Sequence, residues 1–137
     1  MKLSARGHHS MEAILDLAIH YGEGPIPIRD IAMRGRIYEQ YLGQLFVPLR
    51  IAGLVRSVRG AGGGFVLARD PAEIRLSEIV EATEGSTSLT ECVDAPCTCW
   101  KGQPCAIRDV WMEIRCATHN MLNSLTLREL VRRWREG

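Results

Sequence analysis

Four of the five cysteines in this 137-residue chain fall within fourteen positions, in the order Cys92-x4-Cys97-x-Cys99-x5-Cys105. The same stretch holds Pro96, Gly102 and Pro104, so the thiols sit on a turning loop that can bring them to one point. Thiolates in such a loop suit zinc and iron-sulfur clusters alike. A zinc ribbon would show two Cys-x2-Cys or Cys-x4-Cys knuckles separated by a longer stretch, which the one-residue gap between Cys97 and Cys99 does not match. A structural zinc nevertheless stays open as the alternative, and the bland reading is a set of reduced, non-ligating thiols. Redox catalysis would call for Cys-x-x-Cys at a helix start in an α/β pattern. That motif is missing, and no enzyme activity is expected. Cys116, on an apolar helical face, reads as a small buried hydrophobe. His8, His9, His20 and His119 are scattered and read singly as surface or capping residues. His8 and Glu12 share one helical face at i, i+4, a pair that matters if the loop of another subunit packs on it.

The elements that must carry this loop are mostly helical. Met11, Ile14, Leu15, Ala18 and Ile19 follow the i, i+3, i+4, i+7, i+8 spacing of an amphipathic helix over residues 8–21. Ser4 is placed to cap it, and Gly22 with Gly24-Pro25 ends it. A short second helix is predicted from Pro27 to Arg34, with Ile28, Ile31 and Ala32 facing inward, and Arg36 and Ile37 form the turn. The third runs from Tyr38 to Ala52, with Leu42, Leu45, Phe46 and Leu49 on one face and Gly53 as its stop. Pro48 inside it predicts a bend or an early end. Leu54–Val58 then alternates like a strand, 59–64 is a glycine-rich turn, and Phe65–Leu67 returns. Asp70-Pro71 opens a further helical stretch up to Gly85. A helix start at Ser77 would lack the glutamate of a capping box.

Three short helices followed by a hairpin is the order of a winged helix-turn-helix. In that arrangement the second helix of the pair enters the major groove, while the wing reaches phosphates or the minor groove. The exposed residues would be Tyr38, Tyr41 and Gln44, with Arg36 and Arg50 near the backbone and Arg56, Ser57 and Arg59 on the wing. Glutamine can read adenine bidentately, and arginine can enter a narrow minor groove. The competing reading is a small α+β module used for protein contacts. Gly62-Gly63-Gly64 precedes a strand rather than a helix and lacks Gly-Lys-Ser/Thr, so it is a hairpin tip and not a nucleotide-phosphate loop.

Net charge is +1, so any affinity for a polyanion must come from local charge. Residues 1–75 hold 10 basic and 7 acidic side chains, and residues 76–137 hold 7 and 9. The front half is the basic one. Only Lys2 and Lys101 are lysine, and arginine is the side chain whose planar fork suits phosphate and guanine. The N-terminus lacks an apolar signal core and no run approaches membrane-spanning length, so the expectation is a cytoplasmic protein with no membrane partner and no small-molecule substrate.

Beyond the cysteines, Ile107, Val110, Trp111, Ile114, Cys116, Ala117, Met121, Leu122 and Leu125 form a long apolar helical face. A second copy of the chain is the simplest cover for it, which predicts a C2 homodimer. Thr126 followed by Glu129 reads as a capping box opening a last helix, Leu127–Arg135. The division expected is a winged helix-turn-helix at 1–85, a cysteine-rich cluster loop at 86–106, and a helical dimerisation arm at 107–137. The fold class is mainly α with a small β-hairpin wing.

The chain resembles the IscR-type winged-helix transcription regulators, which include the NsrR and RirA regulators. The residues that carry the likeness are the opening Met-Lys-Leu-Ser-x-Arg-Gly, Tyr41-Leu-x-Gln44-Leu, Gly53-Leu-Val-x-Ser-Val-Arg-Gly-x-Gly-Gly-Gly-Phe65, the cysteine loop, and Leu125-Thr-Leu-x-Glu-Leu-Val131. The resemblance implies a dimeric regulator, a repressor on double-stranded operator DNA. It implies a 2Fe-2S or 4Fe-4S cluster that senses iron-sulfur supply, iron, nitric oxide or redox state. Carried over by position, the ligands are Cys92, Cys99 and Cys105, a C-x6-C-x5-C pattern. The family's histidine three residues past the third cysteine is here Arg108, a poor ligand because it stays protonated. The fourth ligand falls to His8 or Glu12 of the partner's first helix, or to Cys97. The family's base-reading glutamate position is Gly43 in this chain, so target specificity is not carried over.

Overall fold

The computed structural model describes residues 2–85 and 105–137. The elements run α1 (Ala5–Ile19), α2 (Ile28–Gly35), α3 (Glu39–Ile51), β1 (Val55–Val58), β2 (Gly64–Leu67), a 3₁₀ turn at Pro71–Glu73, α4 (Leu76–Glu84), α5 (Ala106–Ser124) and α6 (Leu127–Glu136). This is a mainly helical winged helix-turn-helix with one antiparallel hairpin. Cys92, Cys97 and Cys99, the other proposed members of the cysteine loop, lie outside the described residues.

The Ser4 hydroxyl caps α1, accepting from the Gly7 N–H at 3.1 Å. The buried stripe is Ser10, Ala13, Ile14, Leu17 and Ala18, rotated by about one position from the predicted one. Met11, Leu15 and Ile19 stand half-buried at its flank. The rotation follows from packing on several sides, since α1 meets α2, α3 and β2 as well as α4 and α6. An amphipathic period locates the apolar arc but not its centre when neighbours cover both edges.

Two helix ends share one backbone device. After α3 the Leu54 N–H bonds to the Leu49 carbonyl and the Gly53 N–H to the Arg50 carbonyl, both at 3.0 Å, with Gly53 at φ +76°. That is a Schellman cap with glycine in its usual place. After α2 the same pattern joins Ile37 to Ala32 at 3.0 Å and Arg36 to Met33 at 3.4 Å. Here the left-handed residue is Arg36, at φ 53°, ψ 44°. α3 does not end at Pro48 but runs on to Ile51. Proline only deletes the donor to the carbonyl of Gln44, and Gln44 is exposed, so solvent can replace that bond.

The hairpin pairs Val55 with Leu67, Arg56 with Val66, Ser57 with Phe65 and Val58 with Gly64. Ile26 and Phe65 exchange two backbone bonds of 3.0 and 2.8 Å, pinning the wing to the chain just before α2. The Phe65 ring stacks on Phe46 of α3 with centroids 4.3 Å apart and planes 10° apart. Phe46 lies in the core with Ile14, Leu42, Leu45, Leu49, Ile74 and Ile79. Wing and third helix are thus seated on one apolar cluster.

Two caps differ from expectation. α4 starts at Leu76, one residue before Ser77, and Glu78 stands at its third position with a carboxylate that accepts from the Arg75 N–H at 2.9 Å. The glutamate of a capping box is therefore present, hidden in the sequence because Ser77 is the more obvious cap and Arg75 is the actual one. At α6 the Thr126 hydroxyl accepts from the Glu129 N–H at 3.3 Å, but Glu129 turns to Arg132 and Arg133 rather than back to Thr126. Those bonds hold its carboxyl at about 2.

α6, grouped by sequence with the arm, buries Leu127 and Val131 in the same core as residues 13–80. It is fixed there by the Leu76 N–H to the Leu125 carbonyl and the Leu127 N–H to the Ile74 carbonyl, each 2.9 Å. Leu122 and Leu125, the last members of the α5 stripe, also pack on this core. His119 reaches Glu81 of α4 at 3.1 Å and the Asn123 carbonyl accepts from Arg75 at 2.7 Å, but no residue of α5 is fully buried. Ile107 and Met121 are each 59 % exposed, and Val110 and Ile114 are also open. Cys116 is exposed as well, not buried as its apolar neighbours suggested.

Candidate nucleic-acid interface

α2 and α3 form the helix-turn-helix pair, and the Arg36-Ile37-Tyr38 turn sets the start of α3. The sequence-chosen residues stand on the outside. Tyr38 is 87 % exposed, and Arg36, Gln44, Arg50, Arg56, Ser57 and Arg59 are exposed too. Tyr41 alone is half-buried. The His9 Nδ1 lies 3.2 Å from its hydroxyl, and the two rings meet edge to face at 5.6 Å. The sequence gives no warning of that contact, because positions 9 and 41 become neighbours only once α1 crosses α3. Gly43 is half-buried, and a β-carbon there would sit 3.6 Å from Ile28 Cδ1, an ordinary contact. Nothing in the packing therefore requires glycine where the resembling family reads a base.

Cations near this face are divided by their pairing. Arg34 of α2 is committed to Asp16 of α1, with Nε and one terminal nitrogen each 2.8 Å from a carboxylate oxygen. That bond raises the Arg34 guanidinium above its ordinary range. His20 bonds the same aspartate's carbonyl at 2.9 Å. This cluster joins α1 to α2, and Arg34 is occupied by it.

Arg36 is different, since a left-handed conformation costs an L-residue roughly 1–2 kcal/mol. Replacing it by glycine is expected to raise stability in urea melts by about 1 kcal/mol while weakening DNA binding. The log–log salt slope should become shallower by about one phosphate contact. An unchanged slope would remove Arg36 from the interface.

The cysteine segment enters and leaves at two described points. It follows Gly85 at the end of α4, and it returns at Cys105, the N-cap of α5, whose half-buried Sγ accepts from the Arg108 N–H at 3.4 Å. Glu84, the last residue of α4, is bonded through Oε1 to the Ser4 hydroxyl and lies 3.3 Å from the Ser4 N–H. An acidic side chain at a helix C-terminus opposes the helix dipole unless it serves another helix. That misfit is the signal the sequence carries for this contact. His8 and Glu12 are exposed on α1 and paired with each other at 3.0 Å. Among the described residues no three His, Cys, Asp or Glu side chains gather as a metal site, and no described helix is long and apolar enough to cross a membrane.

Comparison with known proteins places this architecture. The family model described as Rrf2, iron-dependent transcriptional regulator, matches residues 3–133. The chain is 40 % identical over 131 residues to the HTH-type transcriptional regulator IscR of Serratia proteamaculans, covering 96 % of this chain and 79 % of that protein. Among solved structures it is similar to CymR, the global cysteine regulator of B. subtilis, with TM-score 0.82, 37 % identity and 96 % of both chains covered. It is also similar to T. potens IscR, with TM-score 0.79, 37 % identity and coverage of 96 % and 87 %. These relatives are regulators and not enzymes, and the wing, the helix pair and the match along nearly the whole length agree: the chain belongs to the Rrf2 family of DNA-binding transcriptional regulators.

Proposed function

We propose that the protein is a homodimeric repressor whose affinity for double-stranded operator DNA is set by an iron-sulfur cluster, 2Fe-2S or 4Fe-4S, held by Cys92, Cys99 and Cys105. His8 or Glu12 of the partner, or Cys97, completes the ligand set. The observation that supports this most directly is the seat of Cys105. Its thiol is held at the first turn of a 19-residue helix with a backbone N–H directed at the sulfur, an arrangement that also serves a metal-bound thiolate. The donor types fit, with four soft thiols within fourteen residues and an exposed imidazole and carboxylate, His8 and Glu12, on α1. The cluster, when bound, supplies a group that iron limitation, oxidation or nitric oxide can alter.

The open apolar side of α5 supports the dimer. Ile107, Val110, Ile114 and Met121 are exposed along one helix, more apolar surface than a lone helix keeps in water. A second copy would cover it and set the spacing of the two α3 helices over successive major grooves.

The test is the visible absorption of protein purified without oxygen, with iron, acid-labile sulfide and zinc assayed together. Brown colour with iron and sulfide in comparable amounts supports the cluster. A colourless protein with stoichiometric zinc would assign the loop to a structural zinc site.

A further inference from the structure

We propose that His9 is the positioning residue for Tyr41, and that the first two turns of α1 form the link between the foot of the cysteine segment and the DNA-reading helix, clamped at the other end by Glu84. The inference rests on the cluster-regulator reading above and names the path by which that site would reach DNA.

At the lower end, Glu84 closes α4, and Gly85 leads directly into the cysteine segment. Its Oε1 takes both the Ser4 hydroxyl and the Ser4 N–H, and Ser4 in turn caps Gly7. Gly7 is buried, and a β-carbon there would collide with the same carboxylate oxygen. A side chain at 7 would displace the Glu84 carboxylate, the group that bonds the end of α4 to the start of α1. Any displacement of the foot of the segment acts first on this cap.

At the upper end, two residues past Gly7, the His9 ring is half-buried and holds the Tyr41 hydroxyl at 3.2 Å, with the rings edge to face. Tyr41 sits on α3 between Tyr38 and Gln44, one turn from each. Its phenol is the candidate interface group whose direction is fixed by another helix. His8, whose ring centre is 6.1 Å from that of His9, pairs with Glu12 on the open side of the same turns. One stretch of backbone thus carries the cap bonded to the segment's foot, two ligand-capable side chains, and the hold on Tyr41. An α-helix moves as a body over two turns because its hydrogen bonds tie each residue to the next turn, so a shift at Ser4 is delivered at His9.

The experiment compares the parent with His9→Phe, Tyr41→Phe, Glu84→Ala and His9→Gln. The probe is a duplex selected by the parent protein from a random-sequence library, and affinity is measured with cluster bound and after its removal. The parent is expected to show a cluster-dependent ratio of about tenfold or more. His9→Phe and Glu84→Ala should bring that ratio to within about twofold of one while the cluster spectrum persists, and His9→Gln, which keeps a hydrogen-bonding group, should restore much of it. The double variant His9→Phe/Tyr41→Phe should add nothing to either single change. Unaltered ratios in Tyr41→Phe and Glu84→Ala would overturn the link while leaving the cluster reading intact. Tyr41→Phe removes only one oxygen, so misfolding does not obscure it. A parent ratio of one would instead defeat the cluster-regulator reading itself.

Discussion

Replacing Cys105 by serine is expected to abolish cluster retention while leaving the cluster-free protein at least as stable as the parent. Two roles meet at this residue. Its sulfur is a proposed cluster ligand, and it is also the N-cap of α5, accepting from Arg108 N–H. Serine removes the soft ligand but is a strong capping residue, and good caps are worth about 1 kcal/mol over residues that cannot cap. The two roles therefore separate by sign. Visible absorption and bound iron should vanish, while the thermal midpoint of the cluster-free form stays level or rises. Cys116→Ser, on the exposed side of α5, should retain the cluster. Cys105→Ser protein with full iron and sulfide would exclude Cys105 as a ligand. Separate changes at Cys97 and His8 then decide the fourth position, since only the true ligand lowers cluster content when replaced by alanine.

Gly64→Ala is expected to be strongly destabilising. A β-carbon at position 64 would run into the Ile26 carbonyl and stand 2.7 Å from the Pro27 nitrogen, and the residue sits at φ +156°, where side chains seldom go. These neighbours are backbone and cannot rotate away. Overpacking against rigid atoms costs about 1–3 kcal/mol, and a strained backbone adds about 1–3 kcal/mol. The loss matters because it falls on the bonds between Ile26 and Phe65 that fix the wing. Phe65 would then leave Phe46, and the wing arginines Arg56 and Arg59 would lose their place relative to α3. Urea midpoints should fall by the equivalent of about 2–6 kcal/mol, with DNA affinity falling further than the unfolded fraction explains. Gly62→Ala, with nothing near its added carbon, is the control and should be close to neutral.

The winged helix was legible because its signals are local. Gly53 stops α3, Gly62 to Gly64 tighten the hairpin, and the change from helical to alternating period falls between them. What escaped depended on distant residues meeting. The Gly53 cap could be foreseen from its glycine, but its twin at Arg36 could not, because an arginine carries no mark of a left-handed backbone. Pro48 looked like a break, yet one missing N–H beside an exposed carbonyl is too small a loss to end a helix whose face is buried at Leu45, Phe46 and Leu49. Leu127 and Val131 read as part of an outlying arm because their sequence distance from α1 and α4 is large, whereas the backbone bridge through Leu125 and Leu127 and the packing of α6 on α1 bring them into the core. At the candidate site, the outward placing of Gln44 and Arg50 followed from the period of α3. The His9 to Tyr41 and Ser4 to Glu84 contacts join positions 32 and 80 residues apart, beyond what any single-chain pattern encodes.

DNA affinity is proposed to be governed by the state of the cysteine segment. Its most direct measurement is fluorescence anisotropy of a library-selected duplex against one preparation, purified without oxygen and divided into a cluster-bound portion and a portion stripped by chelation, at a single salt concentration. Dissociation constants that differ by about tenfold or more are expected, with the difference abolished in Cys105→Ser. Equal affinities for the two portions, with iron and sulfide confirmed in the first, would contradict it.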